Sequence, residues 1–172
     1  MGKSQDKTKR SKSDKIVIAV GIGVIALAAV IALLAYFVPQ WQRQGDMEDR
    51  LEQVLSAEVE SAVLIDLLPD GGDLLYDAAV QVELNEETLT QVRQGIAQWL
   101  DDGFSYTGSG TQPALTDLSL RIRATDGSFA QIYFGAETFY FYENGQTTLF
   151  SPNDAEAYHA FYQALTALVA TK

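Results

Sequence analysis

The sequence contains no cysteine, and this absence removes several classes of protein at once. Without a thiol the chain can form no disulfide, carry no lipid-modified cysteine and use no cysteine nucleophile. It also lacks an Asn-x-Ser/Thr glycosylation site, because Asn85, Asn144 and Asn153 are each followed by other residues. Extracellular domains of eukaryotes commonly have disulfides and glycans. The two absences together favour a bacterial membrane protein.

Basic residues are scarce in the larger part of the chain. Residues 46–172 contain 21 acidic and five basic residues, a net charge of −16. This composition disfavours a nucleic-acid partner, because such a partner requires a basic surface. The acidity is typical of a soluble, mutually repelling surface. A cationic partner or loosely held divalent cations would be the functional alternative.

Motifs for catalysis, cofactors and metals are also missing. His159 is the only histidine, and the chain has no Gly-x-Ser-x-Gly elbow, Walker loop or His-Glu-x-x-His pair. A carboxylate-pair hydrolase needs no such motif, but nothing selects one pair among so many acids. Asp66, Asp70, Asp73 and Asp77 do not match the twelve-residue calcium loop, so we interpret them as turn residues. We therefore expect neither an enzyme, nor a cofactor, nor a metal site.

One long apolar run dominates what the chain does contain. Ile16 to Val38 is 23 residues without a charge or a proline. As a helix this run would be about 35 Å long, enough to cross a hydrocarbon core of about 30 Å. Cleaved signal peptides have a shorter core, of about 7–15 residues, and a small-x-small cleavage site that is missing here. The run therefore predicts a transmembrane signal anchor over residues 16–38.

Charge on the two sides of the run predicts its orientation. Residues 1–15 contain six basic and two acidic residues, whereas Arg43 is the first basic residue after the run. Basic residues next to a membrane span stay on the cytoplasmic side. We therefore expect a cytoplasmic tail over residues 1–15 and an extracytoplasmic C-terminal part, held at the cell membrane by one pass through the lipid bilayer.

The end of the run has features of a membrane interface. Tyr36, Phe37 and Trp41 stand where an interfacial aromatic belt is expected. Pro39 is expected to end or kink the helix, and residues 39–45 to form a juxtamembrane linker. Small residues four positions apart can let two spans pack closely, which suggests a homodimer through the transmembrane helix. The pairs are Ala19/Gly23 and Ala28/Ala32.

Residues 46–172 have the pattern of one α+β domain. Apolar residues at helical spacing predict a helix over 46–61, a second from its N-cap Asn85 to Gly103, and a third starting at 151–154. Segment 62–68 is ambiguous between helix and strand. The pattern predicts a turn at 69–73, a strand at 74–84 and a loop at 105–113.

From residue 115 to 150 the pattern predicts an antiparallel meander of four strands. Its turn signals are Asp126-Gly127, residues 135–138 and Asn144-Gly145. A three-residue first turn, with Gly127 in the left-handed conformation, places Ile122 opposite Ala130 and keeps the apolar residues on one face.

This register assigns the strand residues to two faces of the sheet. The inner face would hold Leu118, Leu120, Ile122, Ile132, Phe134, Phe139, Phe141 and Leu149, and the outer face Arg121, Arg123, Gln131, Tyr133, Tyr140 and Tyr142. Tyrosine and arginine are enriched at binding hot spots, so the outer six are candidate partner-binding residues. A solvated polar face is the simpler interpretation. In that case, truncating Arg121 and Tyr140 would leave folding nearly intact.

The predicted fold class is α+β. One N-terminal transmembrane helix precedes a small domain with an antiparallel β-meander sheet and helices packed on one face. This order of elements is similar to that of TATA-binding-protein-like and helix-grip folds, which serve unrelated functions and imply none here. We expect a non-enzymatic binding or adaptor module with a protein partner in a membrane complex. The alternatives are an extracytoplasmic sensor of a small ligand or cation, and a pilin-like assembly subunit.

Overall fold

The structure, a computed structural model, describes residues 4–67, 80–110 and 118–170, with side chains from Val17 onward except at residue 19. The described part contains three helices and seven strands. In chain order they are α1 (Ser4–Ser56), β1 (Val59–Asp66), β2 (Val80–Glu83), α2 (Glu86–Leu100), β3 (Phe104–Gly110), β4 (Leu118–Ala124), β5 (Phe129–Phe134), β6 (Phe139–Glu143), β7 (Gln146–Pro152) and α3 (Ala155–Ala170).

The chain divides into two compact units, Met1–Gln42 and Arg43–Lys172. The first unit contains the apolar run, all of it within α1. Its large apolar side chains are exposed along the helix, up to 71% for Ile25. Among the described residues, this one helix is long and apolar enough to cross a membrane, by length and composition.

Helix α1 continues through Pro39 and through residues 39–45, which were expected to form a linker. Of the two outcomes expected at Pro39, an end or a kink of the helix, the end is therefore wrong. A proline inside a helix removes one backbone hydrogen bond and costs about 3 kcal/mol. Helix formation is cooperative, so the turns on both sides of Pro39 can support this single defect.

The second unit is built on one antiparallel sheet of seven strands, which confirms the predicted α+β class. The strand order is β2-β1-β4-β5-β6-β7-β3. The four consecutive strands β4 to β7 lie side by side, so the predicted meander is confirmed. β1 and β2 extend the sheet beside β4, and β3 pairs with β7 at the other edge.

The first predicted turn has the expected geometry. Gly127 has φ +85°, and the Ala124 N–H donates to the Ser128 carbonyl at 2.9 Å, which leaves three residues in the turn. Ile122 lies opposite Ala130, as predicted. The Ser128 hydroxyl and N–H donate to an oxygen of Asp126, and these hydrogen bonds lower the pKa of that carboxyl.

The third predicted turn, at Asn144-Gly145, corrects one residue of the predicted inner face. Asn144 and Gly145 have φ 51° and 79°, which makes a two-residue turn. Tyr140 then lies opposite Leu149, so Leu149 belongs to the outer face and its prediction as an inner residue is wrong. Phe150 takes the inner position and is fully buried. The tight turn, rather than the hydrophobicity of Leu149, sets the register.

The core lies between the inner face of the sheet and the helices. One cluster of buried side chains joins both layers. The helices contribute Met47, Leu51 and Val54 from α1, Leu89, Val92, Ile96 and Trp99 from α2, and Tyr158, Phe161, Tyr162, Leu165 and Val169 from α3. Aromatic rings meet at its centre, where Trp99 lies 4.9 Å from Phe139 and 5.3 Å from Tyr158 between ring centroids. Burial of these large side chains is the main stabilising contribution to the domain.

Two capping side chains, Asn85 and Asp154, fix where α2 and α3 begin. The Asn85 side chain accepts a hydrogen bond from the Thr88 N–H at 2.9 Å, so the predicted cap of α2 is confirmed. Asp154 accepts from the N–H groups at the start of α3. The predicted start of this helix at 151–154 was early, because Ser151 and Pro152 still pair with β3.

Three other predicted segments have different bounds or a different structure. The ambiguous segment 62–68 is strand through residue 66, and the predicted helix over 46–61 ends at Ser56. Residues 105–110, predicted as loop, are part of strand β3. Three predicted segments lie outside the described residues. They are the turn at 69–73, the first part of the predicted strand, 74–79, and the end of the predicted loop, 111–113.

Two helical glycines test the packing of the helices. A Cβ at Gly45 would meet nothing within 4 Å, whereas at Gly95 it would lie 2.6 Å from the buried Phe161 ring. Gly45→Ala should raise the free energy of unfolding by about 0.5–1 kcal/mol through helix propensity. Gly95→Ala should lower it by about 1–3 kcal/mol through overpacking.

Urea unfolding of the full chain in detergent micelles, followed by near-ultraviolet circular dichroism, measures both effects. Gly45→Ala is the matched control, since it makes the same change without a neighbour. An equal gain in stability for both variants would contradict the close contact between α2 and α3.

Candidate functional site

The outer face of the sheet places the two predicted arginines in adjacent rows. Arg123 lies opposite Ser61 on one side and Phe129 on the other. Arg121 lies two residues along the same strand, opposite Val63 and Gln131. Because side chains alternate along a strand, both guanidinium groups belong to the outer face.

A third row crosses the same face and is closed to solvent. Ser119 lies opposite Ile65 and Tyr133, and Tyr133 lies opposite Tyr140. Ser119 is 0%, Tyr140 1% and Ile65 3% exposed. We call this row the closed half of the face. The expectation that truncating Tyr140 leaves folding nearly intact is therefore revised, although its assignment to the outer face is confirmed.

Side-chain contacts explain what three of the predicted site residues do for the fold. The Gln131 amide donates to the Ser119 hydroxyl at 2.9 Å and to the Tyr133 hydroxyl at 2.8 Å. The rings of Tyr133 and Tyr140 stack with centroids 4.6 Å apart. These contacts hold the closed half together, and Tyr142, which is 43% exposed, lies beyond them on β6.

The other part of the outer face forms an open cavity of about 340 Å³. We call it the open half, and its lining residues are Ser61, Val63, Arg121, Arg123, Gly127 and Phe129. The Phe129 ring is 56% exposed, which is unusual for a large apolar side chain. The open half thus combines two guanidinium groups with an exposed aromatic ring.

Arg121 lies at the boundary between the two halves. Its Nε is buried and has no hydrogen-bond partner among the residues that the structure describes. A buried donor without an acceptor costs about 1–3 kcal/mol, so this guanidinium is held where the fold gains no hydrogen bond from its Nε. Because this atom is closed to solvent, an acceptor from outside the domain would meet the Nη groups of Arg121 at the cavity wall rather than its Nε.

Arg123 is held weakly by a neighbouring acid. Its Nε lies 3.2 Å from an Oε of Glu60, and the two side chains are 63% and 58% exposed. Exposed ion pairs of this kind contribute between zero and about 1 kcal/mol. Arg123 is therefore able to exchange Glu60 for another carboxylate.

The remaining described arginines of this unit have structural partners. Arg93 donates to the carbonyls of Val54 and Ala57 at the end of α1. Arg50 pairs with Glu143 at 2.9 Å and lies over a phenylalanine ring, and Arg43 donates to the Tyr106 hydroxyl. Arg121 and Arg123 are thus the described cations that the domain's own packing uses least.

The other described candidate groups lie apart from the open half, and two of them, Tyr158 and His159, belong to α3. Among the described residues, no group of three acids or histidines could hold a metal ion. His159 is exposed on α3 and hydrogen-bonds Gln163. Burial raises the pKa of the Tyr158 phenol, whose hydroxyl donates to the carbonyls of Gly135 and Thr138 and so secures the turn between β5 and β6.

Comparison with protein-family models, with curated proteins and with solved structures gives no match. The site must therefore be judged on its own geometry. That geometry offers charge, an aromatic surface and a cavity, which are features of a binding site.

Four residues of the open half were not among the candidate site residues of the sequence, namely Ser61, Val63, Gly127 and Phe129. The turn at Gly127, which the sequence predicts correctly, also assigns Phe129 to the outer face. Its place opposite Arg123 could therefore have been predicted from the sequence. Ser61 was predicted as helix, and Val63 lay in the ambiguous segment. Their place on the face depends on the pairing of β1 with β4, which no local pattern indicates.

One substitution in each half of the outer face should change the free energy of unfolding differently. Arg121→Met keeps the apolar stem and removes the unpaired donor, so the free energy of unfolding should stay equal or rise by up to about 1 kcal/mol. Tyr140→Ala should lower it by about 3 kcal/mol, because the buried ring leaves a cavity. Thermal melts of the full chain in micelles measure both, and a large loss with Arg121→Met would show that the arginine serves the fold.

Proposed function

We propose that this chain is a single-pass membrane protein that presents its α+β domain outside the cytoplasm as a non-enzymatic binding module. Its open half would contact a protein partner within a membrane complex. The observation that carries the proposal is the pair Arg121 and Arg123 beside the exposed Phe129, on a domain whose net charge is otherwise strongly negative.

The exposed apolar surface of α1 supports the membrane anchor. Side chains such as Val17, Ile25 and Leu34 are more than half exposed along the run. Soluble proteins rarely expose contiguous apolar patches larger than a few hundred Å², whereas a bilayer covers such a surface. The basic tail before the run supports a cytoplasmic N-terminus.

The absence of cysteine allows a direct test of the orientation. A single cysteine in place of Ser11 or Glu137 would report on the two sides of the anchor. In spheroplasts, a membrane-impermeant maleimide should label Glu137→Cys and leave Ser11→Cys unlabelled until the membrane is permeabilised. The unsubstituted chain is the control for background.

The reverse labelling pattern would show the opposite orientation. Recovery of the full-length chain in the soluble fraction, with both positions labelled, would reject the anchor itself.

The binding site is tested by cross-linking and co-purification from native membranes. The double variant Arg121→Gln, Arg123→Gln should lose a defined protein partner that the wild-type chain retains, because both guanidinium groups are removed. The matched control is Gln91→Glu, Gln98→Glu, which changes the net charge by the same amount on the exposed face of α2.

Loss of the partner with the control variant alone would place the interface on the helices and contradict the proposal. A chain that retains no protein partner in either form would reject the adaptor and leave a sensor of a small ligand as the better function for the open half.

A further inference from the structure

We infer that the open half binds a carboxylate that is carried beside an apolar or aromatic group, as in an acidic–apolar peptide segment of a partner protein. This inference rests on the proposed function, since it names the ligand chemistry of the same site. It follows from three features of the open half. They are an arginine whose buried Nε has no acceptor among the described residues, a carboxylate already bound to the neighbouring arginine, and an exposed ring.

The carboxylate is indicated by the two arginines. Arg121 lines the cavity, and its buried Nε has no acceptor among the described residues, so a ligand would meet the Nη groups at the end of this guanidinium. A guanidinium presents its donors in a planar fork that matches the two oxygens of a carboxylate. Arg123 already meets such a group, the side chain of Glu60, through the equivalent Nε atom.

The apolar group is indicated by Phe129 and Val63. Phe129 lies directly opposite Arg123, and Val63 directly opposite Arg121, so each arginine has an apolar neighbour on the same face. Opposite side chains on one face of a sheet have Cβ atoms about 4.5–5.5 Å apart. A ligand whose carboxylate meets a guanidinium therefore brings its adjacent atoms against an apolar surface.

The total charge of the domain restricts the ligand further. With a net charge of −16 over residues 46–172, the domain repels any polyanion at long range. Two arginines are few compared with the basic clusters that bind anionic membranes or nucleic acids. A ligand with one or two negative charges is drawn to the arginines without a large repulsion from the body, which favours a short peptide segment over a lipid surface.

Glu60 acts as an internal competitor in this arrangement. Its carboxylate occupies one donor of Arg123 and must be displaced or repelled when a ligand carboxylate enters. Glu60→Gln removes the competing charge and should tighten ligand binding. Glu52→Gln, on the exposed face of α1, removes an equal charge outside the lining of the cavity and is the matched control.

The test uses the full chain in nanodiscs of zwitterionic lipid, with the Nε–H signals of ¹⁵N-labelled arginine observed by NMR. The probe is the peptide N-acetyl-Glu-Phe-amide. Its controls are N-acetyl-Gln-Phe-amide, which lacks the charge, acetate, which lacks the ring, and inorganic phosphate. Thermal melts first establish that each variant is folded.

We expect the peptide to shift the Arg121 Nε–H signal in a saturable manner, and each control to bind at least about tenfold more weakly. Glu60→Gln should lower the Kd about two- to fivefold, Glu52→Gln should leave it unchanged, and Arg121→Met should abolish binding in a folded protein. Equal binding of the uncharged peptide, tighter binding of phosphate, or no shift at saturating peptide would each overturn the inference. A shift produced by phosphatidylglycerol nanodiscs alone would also overturn it in favour of a lipid headgroup.

The peptide-binding test and the co-purification test can fail independently of each other. A protein partner that is lost with the Arg121→Gln, Arg123→Gln variant, together with a peptide that fails to bind, would keep the binding module and reject this ligand chemistry. Peptide binding by a chain without a protein partner would keep the ligand chemistry and reject the adaptor.

Discussion

Strand register is the constraint on which the rest of the structure depends, because a slip of one residue would exchange the two faces of the sheet. Two glycine-containing turns set it. Gly127 and Gly145 both have positive φ, and each turn length fixes the pairing of the strands that it joins. The same pairing sends the phenylalanines of β5 and β6 into the core and leaves Arg121 and Arg123 on the opposite face.

The outer face combines the closed half and the open half within three adjacent rows of residues. In the closed half, Tyr140 is buried, and Gln131 from the neighbouring row donates hydrogen bonds to Ser119 and Tyr133, so this part contributes to stability. In the open half, the buried Nε of Arg121 has no acceptor among the described residues, and Phe129 exposes its ring. An arginine and an exposed aromatic ring side by side in one cavity are features of a binding site.

Sequence reasoning succeeds in this chain where one local signal determines the outcome. The Asn85 cap, the left-handed Gly127 and the meander follow from a few neighbouring residues. It fails where distant pairing decides. Residues 105–110 have the composition of a loop, yet they form β3 because β7 offers them a strand to pair with. The burial of Tyr140 and the place of Ser61 in the site likewise depend on neighbours that are remote in the sequence.

The most direct measurement of the register is disulfide formation in a chain that has no other cysteine. Arg121→Cys with Gln131→Cys places two thiols directly opposite on the outer face, within the range that a small adjustment brings to disulfide geometry. We expect rapid oxidation of this pair and none for Arg121→Cys with Ala130→Cys, because Ala130 is buried on the inner face. Oxidation of the second pair in preference to the first would contradict the register, and with it the placement of both arginines.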